Sequence, residues 1–167
     1  MRDNPELCGI PLGIAGLGRR SVLTTCNYEA REFGCHSAMP TFKALELCPH
    51  LHLVAPDFDK YQAASRQIRA IFDDYTDLVE PLSLDEAYLD VSDLERPATE
   101  IAQEVRRRIR EEMGLPSSAG IGPNKMLAKI ASDWNKPNGQ FEIVQNEVDA
   151  FMRELPVRKL WGVGPKT

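Results

Sequence analysis

From Asp57 onward the sequence alternates between stretches of helical period and short strand-like stretches, and this order restricts the possible fold more than any other feature. Apolar residues recur every three or four positions in the helical stretches, and β-branched or aromatic residues mark the others. The predicted order is helix, strand, strand, helix, strand, helix, strand. Such an order is typical of an α+β sheet with helices on one face.

Residue types that begin helices mark where the predicted helices start. Asp57 and Asn146 are suited to cap a helix N-terminus, since their side chains accept backbone hydrogen bonds. Pro97 and Pro123 suit a first helical turn, where no backbone donor is needed. The helix after Pro123 is predicted to bury one apolar stripe, formed by Met126, Leu127, Ile130, Ala131 and Trp134.

The segment before Asp57 has shorter apolar pieces interrupted by glycines. Residues 10–27 predict two strands joined by a turn at residues 17–19, because β-branched residues follow the glycines. Residues 42–48 predict a short helix that ends at Pro49.

The composition bounds the class of protein. Of the 167 residues, 43% are hydrophobic and 27% are charged, as in ordinary globular domains. No apolar run approaches the ~20 residues that a membrane helix needs, so we predict a cytoplasmic protein with no membrane partner.

The four cysteines lack CxxC spacing and are interpreted as reduced thiols. A zinc site is the alternative, and its candidate ligands are Cys35, Cys48, His36, His50 and His52.

The net charge of −5 argues against a surface that contacts nucleic acid everywhere, because phosphate contacts need Lys and Arg in excess. One basic cluster, formed by Arg106, Arg107, Arg108 and Arg110, has two interpretations. It contacts DNA, or it forms a solvated helix face with ion pairs to the neighbouring glutamates, and the glutamates favour the second interpretation.

Two adjacent acids, Asp85 and Glu86, stand in a segment otherwise rich in Leu, Tyr and Val. Buried neighbouring carboxylates need a compensating positive charge, and a divalent metal in two-metal phosphoryl transfer would supply it. A solvated hairpin turn is the alternative. A two-metal site also needs a further carboxylate, for which Asp90 and Asp93 are candidates.

Two further segments are candidates for binding phosphate. Thr25, Tyr28 and Arg31 offer two hydroxyls and a guanidinium within one strand end and one helical turn. Packing of Tyr28 and pairing of Arg31 with nearby glutamates is the alternative. Residues 120–125 lead from a strand into a helix start with Lys125, where phosphates often bind, although the spacing is not that of a Walker loop.

Together these segments resemble the Y-family, translesion DNA polymerases, and within them the bacterial DNA polymerase IV type. The resemblance rests on the order and spacing of NYEAREFG, SAMPTFKALELCPHL, EPLSLDEAYLDVSD, SAGIGPNKMLAKIASDWNKPNGQF and LWGVG. It covers nearly the whole chain. It implies an α+β fold with a ferredoxin-like polymerase palm that lacks its first strand, a small fingers subdomain and the start of a helical thumb.

The resemblance also implies boundaries and residue roles. Residues 1–57 would be fingers, 58–146 palm and 147–167 the start of the thumb, where a helix-hairpin-helix begins at residue 162. The implied metal ligands and catalytic carboxylates are Asp85 and Glu86, with two Mg²⁺ ions per complete site. The implied nucleotide-binding residues are Thr25, Tyr28, Arg31 and Lys125. Thr24 and Ala38 would leave room over the nascent base pair.

The implied activity is two-metal addition of dNTPs to a primer 3′-hydroxyl opposite damaged template, within DNA repair and the SOS response. The implied partners are primer-template DNA, dNTP and a sliding clamp, and the complete enzyme would be a monomer. The family's first palm strand, with its own catalytic Asp, is expected before Met1. The resemblance therefore implies a chain truncated at both ends and inactive by itself.

Two other functions are compatible with parts of the sequence. A non-catalytic remnant that binds DNA or a partner would agree with the acidic net charge. A palm-type nucleotidyl cyclase would share the acidic pair, although the fingers-like segment and the LWGVG turn have no place in it.

Overall fold

The computed structural model describes residues 2–16, 18 and 20–163, and the chain divides into two units, Met1–Lys60 and Tyr61–Thr167. None of the helices in the described part of the chain is both long and apolar enough to cross a membrane.

The first unit is built on a three-stranded sheet. Strand β1 (Leu12–Ala15) pairs antiparallel with β2 (Leu23–Cys26) and parallel with β3 (His52–Val54). Helices α1 (Tyr28–Glu32) and α2 (Thr41–Leu47) lie between β2 and β3 in the chain, and a 3-10 turn (Pro5–Leu7) precedes the sheet. Because β1 is central, its backbone groups find partners on both edges.

These elements confirm the predicted β1–β2 pair and the predicted helix before Pro49. Leu17 and Arg19 of the predicted turn lie outside the described residues. Strand β3 was not predicted, because three residues are too few to show a period, and pairing with the distant β1 is what orders them.

The core of the first unit contains three of the four cysteines. Its buried side chains are Ala15, Leu23, Cys26, Ala30, Cys35, Met39, Ala44, Cys48 and Leu51. All four cysteines are free thiols, and only Cys8 is exposed. Burial raises the pKa of the Cys26 and Cys35 thiols, so both remain protonated and pack as small apolar groups. Over residues 2–16, 18 and 20–163, no three His, Cys, Asp or Glu side chains are grouped so as to hold a metal.

The second unit follows the predicted order of helices and strands. Helix α3 leads into it, and the Asp57 carboxylate accepts a hydrogen bond from the Lys60 N–H at 3.0 Å, as a cap does. The elements are α3 (Phe58–Asp73), β4 (Val79–Pro81), β5 (Ala87–Leu89), α4 (Ala98–Met113), β6 (Ala119–Ile121), α5 (Lys125–Ser132), β7 (Gln140–Glu142) and α6 (Val148–Glu154). Two 3-10 turns, Gln145–Glu147 and Val157–Lys159, flank α6.

The four strands of this unit form two separate ladders instead of the single sheet that the sequence predicted. β4 pairs with β5 antiparallel, and β6 pairs with β7 parallel. The ladder of β6 and β7 is parallel because α5 carries the chain back across it between the two strands. Within the described part of the chain, no strand joins β5 to β6 by hydrogen bonds.

Two apolar clusters hold the second unit together. α4 buries one face against α3, as its helical spacing predicted, through Ile71, Ile101, Val105, Ile109 and Met113. A second cluster packs α5 and α6 around β7, through Leu127, Ala131 and Ile143 with Phe141, Val148, Phe151 and Met152.

Three local predictions for the second unit are wrong. Asn146 does not cap α6, because residues 145–147 form a 3-10 turn and no side chain makes the cap bond. Pro123 does not open α5, which begins at Lys125 after an Asn124 cap. Met126 is exposed rather than part of the buried stripe, because it lies at the edge of the face formed by Leu127 and Ala131, and Trp134, which follows the end of α5, is exposed as well.

Candidate functional site

A β-bulge decides which side chains of β2 face outward. The pairing with β1 skips Thr24, which is the extra residue of the bulge. In a regular strand Leu23 and Cys26 would lie on opposite faces, but here both are buried. Thr24 and Thr25 are consequently both exposed, and two adjacent hydroxyls are presented at the end of the strand.

Asn27 joins the end of β2 to the start of α1. Its Oδ1 accepts hydrogen bonds from Leu12 N at 2.8 Å and from Ala30 N at 3.1 Å. Its Nδ2 donates to the Ile10 carbonyl at 2.8 Å. The residue therefore caps α1 and clamps it to the chain around β1, which positions the residues on the first turn of α1. We did not predict this role, although Asn between a strand and a helix is a capping signal.

Replacement of Asn27 by Ala is expected to lower the free energy of unfolding by about 2–3 kcal/mol, because a helix cap and two further hydrogen bonds are lost. Urea denaturation of the chain measures the change. Asn4→Ala is the matched control, since the Asn4 side chain makes no capping bond, and we expect a change within about 0.5 kcal/mol. Equal losses in the two variants would contradict the clamp.

Arg31 lies beside Tyr28 on α1. Its guanidinium carbon is 5.7 Å from the centroid of the Tyr28 ring, and its Nε donates to the Cys26 carbonyl at 3.3 Å. Of the ion pairs formed by described residues, none joins Arg31 to Glu29 or Glu32. Both Tyr28 and Arg31 are exposed, so the remaining guanidinium N–H groups can donate to an anion.

Ala38 lies on the loop that follows α1 and has left-handed backbone geometry, with φ at 64°. Its N–H donates to the Leu23 carbonyl at 2.8 Å, which ties this loop to β2. Left-handed geometry is uncommon for a residue other than glycine, and a small side chain limits its cost.

The adjacent acids Asp85 and Glu86 lie in the connection between β4 and β5. The N–H groups of Leu82 and Ser83 donate to the Glu86 carbonyl at 2.9 and 3.2 Å, which closes a tight hairpin loop. The Ser83 hydroxyl donates to Asp85 Oδ1 at 2.7 Å. Asp85 is exposed and Glu86 is half-buried. The pair therefore occupies a hairpin turn, and its role as a metal site stays a prediction.

Asp90, a candidate third carboxylate, already has a local role. Its Oδ1 accepts a hydrogen bond from Ser92 N at 3.0 Å. Hydrogen bonds from the Ser92 side chain and backbone hold the pKa of Asp90 below its usual value, so it is ionised at neutral pH. Asp93, the other candidate, is exposed.

The position of Lys125 is set by close packing of α5 on β6. A Cβ on Gly120 would lie 2.0 Å from the Ala128 carbonyl oxygen, so the helix backbone rests directly on the strand. The Asn124 side chain accepts a hydrogen bond from Leu127 N at 2.9 Å and caps the helix. Lys125 is exposed at the first position of α5, where its ammonium forms an ion pair with Glu80.

Lys129 was not among the predicted site residues, yet it contacts one of them. Its Nζ is 2.5 Å from Glu86 Oε1. It lies four residues after Lys125, and therefore on the same side of α5. That spacing was visible in the sequence, but its carboxylate partner lies 43 residues away in the chain.

The arginine cluster of α4 confirms the ion-paired interpretation for two of its members. Arg107 pairs with Glu111 at 2.6 Å, and Arg108 pairs with Glu112 at 2.7 Å and with Asp74 at 2.8 Å. Arg106 instead points towards the loop before β7, where it donates to Ser117 O, Gln140 Oε1 and Asn138 O. This arginine holds strand ends together rather than presenting charge to solvent.

The segment after β7 is anchored by aromatic contacts. The Trp134 ring stacks on Phe141 with centroids 5.4 Å apart, and Phe151 of α6 lies 5.1 Å from Trp134. Gly162 has a positive φ of 86° in a turn. The predicted helix-hairpin-helix continues from there into residues 164–167, which lie outside the described residues.

The first unit thus holds Thr25, Tyr28 and Arg31 on one short exposed segment, and the second holds Asp85, Glu86 and Lys125. Carboxylate oxygens are the ligands that Mg²⁺ prefers, so the chemistry of the acidic pair fits such an ion. The pair would supply part of a ligand set.

Comparison with known proteins gives matches along the whole chain. The model of the impB/mucB/samB family matches residues 1–133, and that of the IMS family HHH motif matches residues 146–167. The DNA polymerase IV of Ralstonia nicotianae (strain ATCC BAA-1114 / GMI1000) is 57% identical over 171 aligned positions, which cover 100% of this chain and 48% of that protein. The DNA polymerase IV of Pseudomonas syringae pv. tomato is 56% identical with the same coverage.

Solved structures agree with this similarity. DinB from Sulfolobus solfataricus superposes with a TM-score of 0.92 at 35% identity, over 98% of this chain and 49% of that one. The insertion ternary complex of Dbh DNA polymerase has a TM-score of 0.92 at 34% identity, over 99% and 50%. The chain therefore spans about half the length of the curated relatives it matches, and the predicted α+β polymerase fold class is confirmed.

Proposed function

The chain belongs to the impB/mucB/samB family of Y-family DNA polymerases, and from this premise we propose that it forms part of an error-prone, DNA-directed DNA polymerase. The proposed reaction is attack of a primer 3′-hydroxyl on the α-phosphate of a dNTP opposite damaged template, with release of pyrophosphate. The observation that carries the proposal is 57% identity to a DNA polymerase IV across the whole of this chain.

We assign the acidic hairpin to metal binding. Asp85 and Glu86 would hold Mg²⁺, two ions per complete site, together with ligands outside the described residues. The bound ions would supply positive charge that lowers the cost of deprotonating the primer hydroxyl and of releasing pyrophosphate. Support comes from the adjacency of two carboxylates in one loop and from the Ser83 hydrogen bond that orients Asp85.

We assign triphosphate binding to four residues. Thr25 and Tyr28 would donate hydroxyl hydrogen bonds, Arg31 would pair with phosphate oxygens, and Lys125 would add a positive charge. The exposed hydroxyls of the β2 bulge and the absence of a carboxylate partner for Arg31 among the described residues support this assignment. Lys125 would have to leave Glu80 to reach a phosphate.

We further propose the subdomain boundaries and the partners of the complete protein. Residues 1–57 would be fingers, 58–146 palm and 147–167 the start of a thumb, which agrees with the span of the IMS family HHH motif. Primer-template DNA and dNTP would be the substrates of a monomeric, cytoplasmic enzyme that also binds a sliding clamp. The solved relative described as an insertion ternary complex supports substrate binding by this architecture.

A non-catalytic remnant that binds DNA or a partner is the second candidate for the 167-residue chain. It is favoured by the net charge of −5 and by the acidic pair, which has no third carboxylate grouped with it in the described part of the chain. Two carboxylates leave a divalent ion under-coordinated. The chain by itself is accordingly expected to bind nucleotide weakly.

Primer extension tests the proposal. The natural-length protein that carries this sequence is mixed with primer-template DNA, dNTPs and Mg²⁺, on undamaged and lesion-bearing templates, beside the 167-residue chain. We expect extension by the natural-length protein and negligible extension by the chain. DNA binding by the 167-residue chain, together with no extension by the natural-length protein, would favour the second candidate. GTP without DNA is the control for a cyclase, which would form a cyclic product.

A further inference from the structure

The two lysines of α5 pair with acids on the β4–β5 hairpin, and the two pairs differ in burial. Lys125 and Glu80 have side chains that are 61% and 58% exposed. Lys129 is only 13% exposed, and its partner Glu86 is 39% exposed. Water screens the first pair strongly, whereas the second is held in a less polar environment where charges interact more strongly.

Lys129 is held in place from both sides. α5 rests on β6 at Gly120, where the helix backbone leaves no space for a Cβ. Leu127 and Ala131, on either side of Lys129 in the sequence, are buried in the core. The Ser132 hydroxyl donates to the Lys129 carbonyl at 2.8 Å. The packing of α5 therefore fixes the position of the Lys129 ammonium beside Glu86.

The Lys129 ammonium and a divalent cation have the same requirement. Both need carboxylate oxygens of the acidic pair, and Glu86 Oε1 lies 2.5 Å from Lys129 Nζ. Two positive charges beside one carboxylate repel each other, so each weakens the binding of the other.

We infer that the Lys129 ammonium occupies Glu86 as an ion-pair partner until a divalent cation binds. Because the two cations compete for the same carboxylate, Lys129 sets the affinity of the site for the divalent cation. Lys129 is a positioning residue, since it acts through Glu86. This inference rests on the proposed function of Asp85 and Glu86 as metal ligands.

Binding of Mn²⁺ to the natural-length protein, without DNA or nucleotide, tests the inference. Electron paramagnetic resonance of free Mn²⁺ gives the dissociation constant. Lys129→Met is expected to bind Mn²⁺ about tenfold more tightly, because the repulsion between the ammonium and the metal ion is removed beside a partly buried carboxylate. Lys129→Arg keeps the charge and is expected to bind as the wild type does.

The matched control is Arg107→Met, which removes one positive charge from an exposed ion pair on α4. It is expected to leave the Mn²⁺ dissociation constant unchanged, because screening is strong at the surface. If Lys129→Met fails to melt cooperatively, Lys129→Gln carries the same expectation, since it keeps a donor for Glu86 without the charge. A purely structural lysine would lower stability without tightening Mn²⁺ binding.

Asp85→Asn distinguishes failure of the inference about Lys129 from failure of the proposed metal ligands. Loss of saturable Mn²⁺ binding in this variant, with tighter binding in Lys129→Met, supports the inference. Loss in Asp85→Asn with unchanged or weaker binding in Lys129→Met overturns the inference and leaves the proposed metal ligands standing. Unchanged binding in Asp85→Asn overturns both.

Discussion

Replacement of Asp85 by Asn is expected to lower primer extension by the natural-length protein about a thousandfold, because the substitution removes the charge that would hold a metal ion. The amide keeps the size of the carboxylate and can still accept the hydrogen bond that the Ser83 hydroxyl donates at 2.7 Å. The hairpin loop should therefore keep its shape. The measurement is kcat/KM for insertion of one correct nucleotide at saturating Mg²⁺.

Asp77→Asn provides the matched control, since Asp77 is exposed in the bend before β4 and no ligand role is proposed for it. We expect insertion within about twofold of the wild type and an unchanged melting temperature, because isolated surface changes have small effects. An Asp85→Asn enzyme that retains more than a tenth of wild-type kcat/KM would rule out Asp85 as a metal ligand.

Replacement of Gly120 by Ala is expected to cost more than about 4 kcal/mol of stability, enough to unfold a marginally stable domain. The new Cβ would lie 2.0 Å from the Ala128 carbonyl oxygen and 2.2 Å from Ser132 N. Both are backbone atoms of the α5 segment, so no side chain can turn aside to relieve the clash. The helix would have to move off β6 and open the cluster around Leu127 and Ala131. Urea denaturation followed by circular dichroism measures the loss.

Gly16→Ala is the control for the glycine substitution itself. A Cβ at Gly16 would meet nothing within 4 Å, and its φ is outside the left-handed region. Removing glycine at such a position changes stability by less than about 1 kcal/mol. A Gly120→Ala variant that unfolds at the same urea concentration as Gly16→Ala would show that α5 can move away from β6 without loss.

Helix α5 affects both stability and the proposed site, because it packs on β6 and carries Lys125 and Lys129. The contact at Gly120 brings the helix against the strand, and the Asn124 cap fixes where it begins. In that position, Lys125 and Lys129 on one face of α5 form ion pairs with Glu80 and Glu86. A shift of α5 by a fraction of a helical turn would break both ion pairs without touching an acid.

The helices and strands predicted from strong local patterns in the sequence are confirmed. The period of α4 and the strand-like segments at β4 and β5 required only neighbours a few positions apart. The predicted Asp57 cap is also confirmed, because the hydrogen bond from Lys60 N to the Asp57 side chain is made within one turn. The predicted Asn146 cap was wrong because a 3-10 turn forms at residues 145–147, and the predicted burial of Met126 was wrong because it lies at the edge of the buried face of α5.

The candidate site was predicted less completely than the fold. Thr25, Tyr28, Arg31, Asp85, Glu86 and Lys125 were named from the sequence, and their roles stay proposals. The sequence could not indicate that Thr24 is bulged, because the bulge exists only relative to β1. Nor could it pair Lys129 with Glu86, since a contact across 43 residues leaves no periodic trace.

By itself, the sequence determined the family, the α+β class and the order of elements, because these follow from local periods and from motifs of consecutive residues. Only the tertiary structure decided that the strands of the second unit form two ladders, that the β2 bulge turns both threonines outward, and that Glu86 is held by Lys129. Each of these depends on backbone hydrogen bonds, close packing or charge between segments far apart in the chain, which no local pattern encodes.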